Sequence, residues 1–434
     1  MTVENLYRIF LEHPEVFTDS RTVLPGGIFF ALKGQNFNGN EFAADTLKKG
    51  SAYAIVDEPK YCTDERCILV EDVLKTLQQL ANHHRKKYTI PVIAITGTNG
   101  KTTTKELLTS VLSKKYQTLS TTGNLNNHIG VPLTLLKLKP ETQIAVIEMG
   151  ANHPGEIDFL CRIAEPTHGI ITNIGKAHLE GFGGFEGVIR TKTELYRFLK
   201  SRKGLSFVNE SNSILSEQSA GLKKITYGFG PACDVRGENV DADPFTRLDI
   251  CFEQEQFTVV SRLFGKYNAE NILAAACMGQ YFRVELPEIK EALESYQPVN
   301  NRSQVIQAAS NILILDMYNA NPSSMELALK DFSGTNPANK VVILGDMLEL
   351  GDESDKEHRL ILDLLGNLDF KQVYLVGPVF TRLNTKREWL CFQDSQLAGM
   401  WLEHHKIKDS TIMIKGSRGI RLEKVVEALT DHPV

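Results

Sequence analysis

Paired cysteines are what this sequence most clearly lacks. Its cysteines are odd in number, are scattered along the chain and never show C-x-x-C spacing. Disulfide frameworks use even numbers of cysteines and zinc sites use closely spaced thiolates, so neither is supported and a reducing cytosol is expected. The seven cysteines are Cys62, Cys67, Cys161, Cys233, Cys251, Cys277 and Cys391.

Long apolar runs and a basic excess are also missing. No stretch approaches the ~20 apolar residues that a membrane-spanning helix needs, and charged residues interrupt the first thirty positions, so no signal peptide is expected. The net charge of -5 argues against a general nucleic-acid or membrane-surface partner. We therefore expect a soluble, cytoplasmic protein whose basic residues act in pockets. The oligomeric state is not fixed by the sequence, and a monomer is expected.

The length and the order of predicted elements indicate an α/β protein with three domains. The chain has 434 residues, and at ~100–200 residues a domain it should form two to four. Residues 1–89 combine short strands with a helix over 73–88. Residues 90–300 alternate strands and helices, including a helix over 185–199, which is typical of a largely parallel sheet. Residues 301–434 repeat that alternation and predict a Rossmann-like domain.

The basic end of the helix over 73–88 has two interpretations. His83 and His84 stand before Arg85, Lys86 and Lys87, and basic residues suit the C-terminus of a helix. A metal site is less favoured, because adjacent helical residues do not share a face. The pattern favours a solvated helix end.

A phosphate-binding loop is the most informative motif. It follows the apolar run 91–95, and its small residues allow backbone N–H groups at a helix start to face a polyphosphate. Lys101 would add a charge, and Thr102 would offer its hydroxyl to Mg²⁺. Ile95 stands where the strict P-loop pattern has glycine, so the match is to G-x-x-G-K-T; a turn that binds nothing is the alternative. The loop residues are Gly97, Thr98, Asn99, Gly100, Lys101, Thr102 and Thr103.

Two further residues are candidates for work on the γ-phosphate. Glu148 ends the predicted strand 144–147, and His178 follows the predicted strand 169–172. Side chains after neighbouring parallel strands meet at one edge of a sheet, where Glu148 could ligate a metal ion. The alternative interpretation of each residue is a purely structural cap. No N-K-x-D guanine signature is present, which favours ATP over GTP.

With these residues together, the chain resembles the Mur ligase family of ATP-dependent amide-bond formers that build the peptidoglycan stem peptide. The resemblance covers nearly the whole chain. Within the family, the sequence is most similar to the branch that adds D-alanyl-D-alanine. It is carried by residues 19–21 with 27–34 (G-I-F-F-A-L-K-G), by 123–133 (G-N-L-N-N-H-I-G-V-P-L) and by 345–351 (G-D-M-L-E-L-G), and the D-N-P-R motif of the diaminopimelate-adding relative is absent.

The resemblance implies a reaction and roles for particular residues. The substrates would be UDP-N-acetylmuramoyl-tripeptide and D-alanyl-D-alanine, with ATP and Mg²⁺, and an acyl phosphate would be the intermediate. The first domain would bind UDP through Ser20 and Arg21, and Asn126 and Asn127 would lie near the muramoyl peptide. Alternatively, each of these residues could be an ordinary turn or surface residue that contacts no ligand.

The remaining implied roles concern ATP and metal. Asn268 and Asn271 would face the adenine, while Arg302 and Asp316 would reach the nucleotide from the third domain. Lys192 aligns with the lysine that this family carbamylates to make a Mg²⁺ ligand, whereas the residue pattern alone predicts a solvated helix lysine. The implied metal ligands are Thr102, Glu148, His178 and Lys192, and the implied catalytic residues are Lys101, Glu148, His178 and Lys192.

The sequence departs from the family pattern at one segment, and two alternative functions remain open. Many relatives have D-G-H where this chain has Asn38-Gly39-Asn40, which puts a nucleotide-sugar contact by that segment in doubt. Folylpolyglutamate synthase shares the loop and the chemistry, but residues 19–34 argue against it. A nucleotide-dependent switch or scaffold without net synthesis is the other alternative. The third residue of the stem peptide is not predicted.

Overall fold

A computed structural model describes residues 1–253, 255–299, 301–336, 339–385 and 388–430. Within these ranges the chain forms three α/β units, each built on its own main sheet, which confirms the predicted fold class. None of the helices in these ranges is long and apolar enough to cross a lipid bilayer.

The first unit has a four-stranded parallel sheet in the order β1-β2-β5-β6, beside a two-stranded β3-β4 ribbon. Helices cover the sheet, and the strand that carries Ile28, Phe29 and Phe30 is fully buried at its centre. The elements are α1 (Val3–Glu12), β1 (Val16–Phe17), β2 (Ile28–Phe30), β3 (Lys33–Gly34), β4 (Phe37–Asn38), α2 (Ala43–Lys48), β5 (Tyr53–Val56), β6 (Cys67–Leu69) and α3 (Val73–Arg85).

The prediction of a solvated basic end for α3 is wrong for His84 and Arg85, whereas Lys86 and Lys87 are exposed. His84 is 3% exposed, and its two ring nitrogens contact the hydroxyl of Tyr7 and the carbonyl of Leu138. Arg85 is also buried, and its guanidinium donates to the carbonyls of Ala164 and Tyr88. The helix end therefore docks the first unit on the second, where carbonyl groups satisfy the buried polar side chains.

The second unit has a nine-stranded sheet in the order β15-β14-β13-β12-β11-β10-β7-β9-β8. The strands from β13 to β8 are parallel, as predicted, and β13, β14 and β15 form an antiparallel extension. The strands are β7 (Val92–Thr96), β8 (Thr118–Ser120), β9 (Ile144–Glu148), β10 (His168–Ile171), β11 (Leu205–Asn209), β12 (Lys223–Gly228), β13 (Val235–Ala242), β14 (Phe245–Phe252) and β15 (Glu255–Phe264).

Helices pack on both faces of this sheet, and β7 lies between β9 and β10. The carboxyl ends of these three parallel strands are adjacent, so the residues that follow them converge. The helices are α4 (Lys101–Leu112), α5 (Gly130–Leu135), α6 (Glu156–Ala164), α7 (Leu179–Phe182), α8 (Phe185–Lys192), α9 (Glu194–Ser201), α10 (Ser213–Gln218), α11 (Asn268–Tyr281) and α12 (Leu286–Ser295).

The single helix predicted over 185–199 is wrong, because the structure has two helices there. They are separated by Thr193, whose ψ is -2° and whose hydroxyl donates to the carbonyl of Ile189 at 2.8 Å. A threonine that bonds back to the preceding turn competes with regular helical geometry. The break comes directly after Lys192.

The third unit has a six-stranded sheet in the order β16-β17-β21-β18-β19-β20, parallel except for the β16–β17 hairpin. This agrees with the predicted Rossmann-like alternation. The elements are β16 (Gln304–Ala308), β17 (Asn311–Asp316), α13 (Pro322–Ser333), β18 (Lys340–Gly345), α14 (Ser354–Gly366), β19 (Gln372–Val376), α15 (Pro378–Leu383), β20 (Leu390–Phe392), α16 (Ser395–His404), β21 (Thr411–Lys415) and α17 (Glu423–Thr430).

The third unit lies against the phosphate-loop edge of the second. The side chain of Asn321, the N-cap of α13, donates to Oδ1 of Asn99 at 2.7 Å. Lys176 pairs with the buried carboxylate of Glu357 at 2.7 Å, and its backbone N–H donates to Ser323. These contacts close a cavity between the two units.

Candidate active site

The loop between β7 and α4 has the geometry of an anion cradle. Gly97 and Gly100 have φ values of +143° and +77°, which L-residues rarely adopt. A Cβ at Gly97 would lie 2.0 Å from Oγ1 of Thr172, and one at Gly100 would lie 2.4 Å from Oδ1 of Asn271. Both glycines are therefore required for the loop to pass so close to its neighbours. Gly100 is the N-cap of α4, and the first N–H groups of a helix have no partner within the helix, which suits them to bind an anion.

Lys101 is held inside this loop. Its ammonium group donates to the carbonyls of Gly97 and Thr98 at 2.8 and 2.9 Å. Burial lowers the pKa of Lys101 to about 8, although the charge of Glu148 opposes that shift. An anionic phosphate at the cavity edge would favour the charged form of the lysine.

Glu148 occupies the end of β9 as predicted and is 1% exposed. Its Oε1 accepts from the hydroxyl of Thr102 at 3.2 Å and from the side chain of Asn126 at 2.7 Å. Its Oε2 is buried, and no described residue donates a hydrogen bond to it. Lys105 is 3.5 Å from this oxygen, so the carboxylate is electrostatically balanced but has unused ligand capacity.

His178 lines the cavity, and Lys192 lies behind the wall, next to the lining residue Ala151. Nδ1 of His178 is 2.5 Å from Oε2 of Glu349, and the contact lowers the pKa of that carboxyl. Lys192 is 2% exposed and donates to the carbonyl of Ala151 at 3.3 Å, so the reading of a solvated helix lysine is wrong. Burial, with the charge of Lys101, holds the pKa of Lys192 well below its usual value.

Unmodified side chains supply only some of the ligands that a magnesium site needs here. The described residues contain no group of three or more His, Cys, Asp or Glu that could hold a metal ion. The free oxygen of Glu148 beside the hydroxyl of Thr102 is the hard-ligand chemistry that Mg²⁺ requires. A buried lysine with a lowered pKa is chemically suited to carbamylation, which would add a further oxygen ligand.

The asparagines predicted to face adenine form one buried cluster. The side chain of Asn271 donates to Oδ1 of Asn268 at 2.8 Å and accepts from the hydroxyl of Thr104 at 3.1 Å. Asn268 donates to the carbonyl of Phe264. The cluster ties α11 to α4 and places both asparagines on the cavity wall.

Arg302 and Asp316 reach the same cavity from the third unit. The guanidinium of Arg302 lies 3.5 Å from the centroid of the Tyr318 ring, and its buried Nε has no hydrogen-bond partner within the described ranges. Asp316 ends β17 and pairs with the buried ammonium of Lys415. Both residues therefore lie in the cavity that the loop after β7 also lines.

The cavity has a volume of about 540 Å³ and collects most of the predicted residues. Gly97 and Lys192 are not among its lining residues but contact residues that are. Ser20 and Arg21 lie in the first unit, where Arg21 is exposed and pairs with Asp19. The predicted residues that line the cavity are Thr98, Asn99, Gly100, Lys101, Thr102, Thr103, Asn126, Asn127, Glu148, His178, Asn268, Asn271, Arg302 and Asp316.

Sequence reasoning missed several residues of the site. Lys105 is one helical turn after Lys101, and that spacing was the available signal for a second buried lysine. Lys415 ends β21 and pairs with Asp316, 99 residues away in the chain, whereas Tyr318 follows β17 and lies beneath the guanidinium of Arg302. Glu349 was within a motif singled out above, without an individual role.

Comparisons with known proteins agree along the whole chain. Residues 15–85 match the model described as "Mur ligase family, catalytic domain", residues 95–279 match "Mur ligase middle domain", and residues 301–418 match "Mur ligase, glutamate ligase domain". The UDP-N-acetylmuramoyl-tripeptide--D-alanyl-D-alanine ligase of Escherichia coli (strain K12) is 34% identical, over 96% of this chain and 94% of that protein.

Solved structures show the same relationship. A MurF structure from Acinetobacter baumannii has a TM-score of 0.88 at 33% identity and covers 99% of both chains. The MurF ligase of Thermotoga maritima, solved in complex with ADP, has a TM-score of 0.85 at 28% identity and covers 97% of this chain and 98% of that one. The chain therefore belongs to the Mur ligase family.

Proposed function

We propose that this protein is an ATP-dependent ligase that joins D-alanyl-D-alanine to UDP-N-acetylmuramoyl-tripeptide. The products are UDP-N-acetylmuramoyl-pentapeptide, ADP and phosphate, in peptidoglycan synthesis. The observation that carries the proposal is the single cavity in which the loop around Lys101 faces Glu148, His178 and, from the third unit, Arg302. Full-length relatives named for this reaction support the choice of substrates.

The first chemical step is activation of the tripeptide carboxylate. A carboxylate is a poor electrophile, so one of its oxygens attacks the γ-phosphorus of ATP, and ADP leaves. Lys101 and the N–H groups at the start of α4 stabilise the charge that spreads over the phosphoryl oxygens. Arg302, next to Tyr318, contributes a fixed positive charge from the third unit.

The second step forms the amide bond. The dipeptide amine attacks the carbonyl carbon of the acyl phosphate, the C–O bond to phosphate breaks, and the amine loses a proton. Three reactants must meet in one geometry, which is why the site is divided between two units that can approach each other. Water must be excluded while the acyl phosphate exists, because it would otherwise be hydrolysed.

Magnesium belongs to the proposal as a cofactor of ATP. Thr102 and Glu148 would hold one ion, and His178 with a carbamylated Lys192 would hold another. The metal supplies charge neutralisation for the phosphates and the substrate carboxylate. Intact-protein mass spectrometry tests the modification: a mass increase of one CO₂ in bicarbonate, lost in Lys192→Arg, is expected, and no increase would contradict it.

The remaining assignments concern binding and organisation. Asn268, Asn271 and Asp316 would hold the nucleoside, Asn126 and Asn127 the muramoyl peptide, and Ser20 and Arg21 the UDP end. The domains would be 1–89, 90–300 and 301–434. Substituting Arg21 with Ala should raise the KM for the sugar nucleotide and leave the KM for ATP unchanged. A sugar-nucleotide KM that is the same in the variant and in the wild-type enzyme would contradict the UDP assignment.

We further propose that the enzyme works as a monomer in the cytoplasm, where ATP and nucleotide sugars are made. Sedimentation analysis of the full chain should give a mass near 48.5 kDa. A stable dimer at assay concentrations would contradict the first part, and export of the protein in fractionated cells would contradict the second.

Phosphate release tests the function. ATP and Mg²⁺ are supplied with UDP-muramoyl tripeptide, with and without D-alanyl-D-alanine, and the product mass is determined. Parallel tripeptides with diaminopimelate or lysine identify the third residue. Release that needs both substrates and yields a pentapeptide is expected. Release that needs neither, or extension of pteroyl substrates instead, would contradict the proposal. Lys101→Ala separates synthesis from a scaffold role, since a scaffold would keep partner binding.

A further inference from the structure

His178 and Glu349 meet across the boundary between the second and third units. His178 follows β10 in the nine-stranded sheet, and Glu349 follows β18 in the six-stranded sheet. The distance from Nδ1 to Oε2 is 2.5 Å, so the imidazole and the carboxylate are in direct contact. His178 also lines the cavity, so this contact connects the third unit directly to the reaction site.

Both residues are held in backbone conformations that L-residues rarely adopt. The φ values of His178 and Glu349 are +50° and +63°. Non-glycine residues in the left-handed region are strained and persist only where the surroundings impose that conformation. Two such residues aimed at each other from different units indicate that the orientation of the contact matters.

The loop of Glu349 is fixed by neighbours on its own unit. The N–H of Met347 donates to Nε2 of His358 at 3.0 Å, and the N–H of Leu348 donates to the hydroxyl of Ser417 at 2.9 Å. Asp346, at the start of the same motif, accepts from the first N–H groups of α15. The carboxylate of Glu349 is therefore presented from a rigid base to whatever lies opposite it.

A simple stabilising contact does not account for this arrangement. The side chain of Glu349 is 61% exposed, and an exposed ion pair contributes little to stability, no more than the backbone strain costs. In contrast, a carboxylate that receives one ring N–H of a histidine fixes the tautomer and the ring orientation, which leaves the other nitrogen free as a ligand.

We propose that Glu349 is a positioning residue for His178. By accepting the Nδ1 proton, it keeps Nε2 as the nitrogen with a free lone pair and fixes the ring at the cavity wall. Because Glu349 belongs to the third unit, this support exists only while that unit is docked, so docking and completion of the His178 metal site are coupled. This inference rests on the magnesium site described under the proposed function.

Manganese binding measured by electron paramagnetic resonance tests the proposal without turnover. The full-length protein is titrated with Mn²⁺ in the presence of a non-hydrolysable ATP analogue and the sugar nucleotide. Glu349→Ala removes the acceptor, and Glu349→Gln retains an oxygen that can accept the bond. The control is Glu353→Gln, which removes an exposed carboxylate four residues away that pairs with Lys356.

Loss of a carboxylate that supports a metal-binding histidine typically costs 10–100-fold in metal affinity. We expect Glu349→Ala to lower the Mn²⁺ affinity of the lower-affinity class of sites by about 10–100-fold. Glu349→Gln should lower this affinity less, and Glu353→Gln should match wild type. The Mg²⁺ dependence of kcat should shift in the same order. The melting temperatures, which a purely structural role would change, should stay close to wild type.

Two results would overturn the proposal. One is wild-type Mn²⁺ affinity in both Glu349 variants. The other is an increase confined to the KM for the dipeptide, which would mean that Glu349 binds the incoming amine instead. If the wild-type enzyme itself binds no Mn²⁺ or makes no pentapeptide, the proposed metal site or the proposed function has failed before the variants are compared.

Discussion

At the residue scale, Glu148 concentrates the chemistry of the site. Its buried carboxylate touches Thr102 and Asn126 and keeps one oxygen without a hydrogen bond from any described residue. We expect Glu148→Gln to lower kcat by on the order of 10²–10³-fold, because a neutral amide is a poor ligand for Mg²⁺ and leaves the charge of Lys105 uncompensated.

Steady-state phosphate release checks this prediction, with the exposed Glu141→Gln as the control. Circular dichroism and a thermal melt of each variant distinguish a chemical effect from unfolding. A kcat within a factor of two of wild type in Glu148→Gln would remove Glu148 from the catalytic residues.

His168 provides a pH-dependent prediction away from the metal site. Burial against Phe207 and Tyr281 lowers its pKa to about 4, from about 6.5 in an unfolded chain. Between these values the unfolded state binds more protons than the folded state. The free energy of unfolding should therefore fall by up to about 3 kcal/mol as the pH drops from 6.5 to 4.

His168→Gln should remove this part of the pH dependence. Urea denaturation at pH 7 and at pH 5 gives the free energy of unfolding for both proteins, and the difference between the two pH values should be smaller in the variant. Other titrating groups affect both proteins alike and cancel. Equal pH dependence would mean that the pKa of His168 is the same in the folded and unfolded states.

Individual site residues differed in how well the sequence revealed them. The loop 97–103 was predictable because its residues are contiguous and each has a local task. Glu148 and His178 were predictable from their position after parallel strands. Lys105, Lys415 and Glu349 act through partners that the fold brings from distant parts of the chain, and the burial of Lys192 depends on the packing around it.

At the scale of single elements, the start of α4 is the most constrained junction. Gly100 combines a φ of +77° with a Cβ position 2.4 Å from the side chain of Asn271. Gly100→Ala should weaken binding of ATP by tenfold or more, because strain of about 1–3 kcal/mol is relieved by distorting the loop or displacing Asn271.

The matched control is Gly155→Ala at the start of α6. Gly155 has a similar φ of +87°, but a Cβ there meets no atom within 4 Å. Isothermal titration with an ATP analogue compares the two. If both variants lost the same affinity for the ATP analogue, backbone strain alone would explain the effect. No loss of affinity in Gly100→Ala would contradict the proposed phosphate cradle.

Secondary structure followed the periodicity where one pattern dominated. Strands β7, β9 and β10 have apolar interiors, and their bounds differ by no more than one residue from the predicted 91–95, 144–147 and 169–172. The break between α8 and α9 was missed because it depends on a hydroxyl–carbonyl bond at Thr193 that apolar spacing does not encode. The buried end of α3 was missed because its partners belong to another unit.

At the scale of the whole molecule, the third unit should move relative to the second. The structure shows them in contact through Asn321, Lys176 and His178. We expect the radius of gyration from small-angle scattering to fall when an ATP analogue and the sugar nucleotide are both present. No compaction with both ligands would contradict closure.

Lys176→Met tests whether closure depends on these contacts. The lysine pairs with a carboxylate that is 4% exposed, and its loss should cost the closed state about 1–3 kcal/mol. Compaction should then need higher ligand concentrations, and the KM for the dipeptide should rise. The exposed Lys371→Met is a control of the same type.

The central claim is that the γ-phosphate of ATP is transferred to the substrate carboxylate before the amide bond forms. UDP-muramoyl tripeptide labelled with ¹⁸O in the reacting carboxylate, incubated with the enzyme, ATP and D-alanyl-D-alanine, tests it most directly. We predict that the released inorganic phosphate carries one ¹⁸O atom per pentapeptide formed. Unlabelled phosphate, or label in AMP, would contradict an acyl phosphate and the mechanism derived from this cavity.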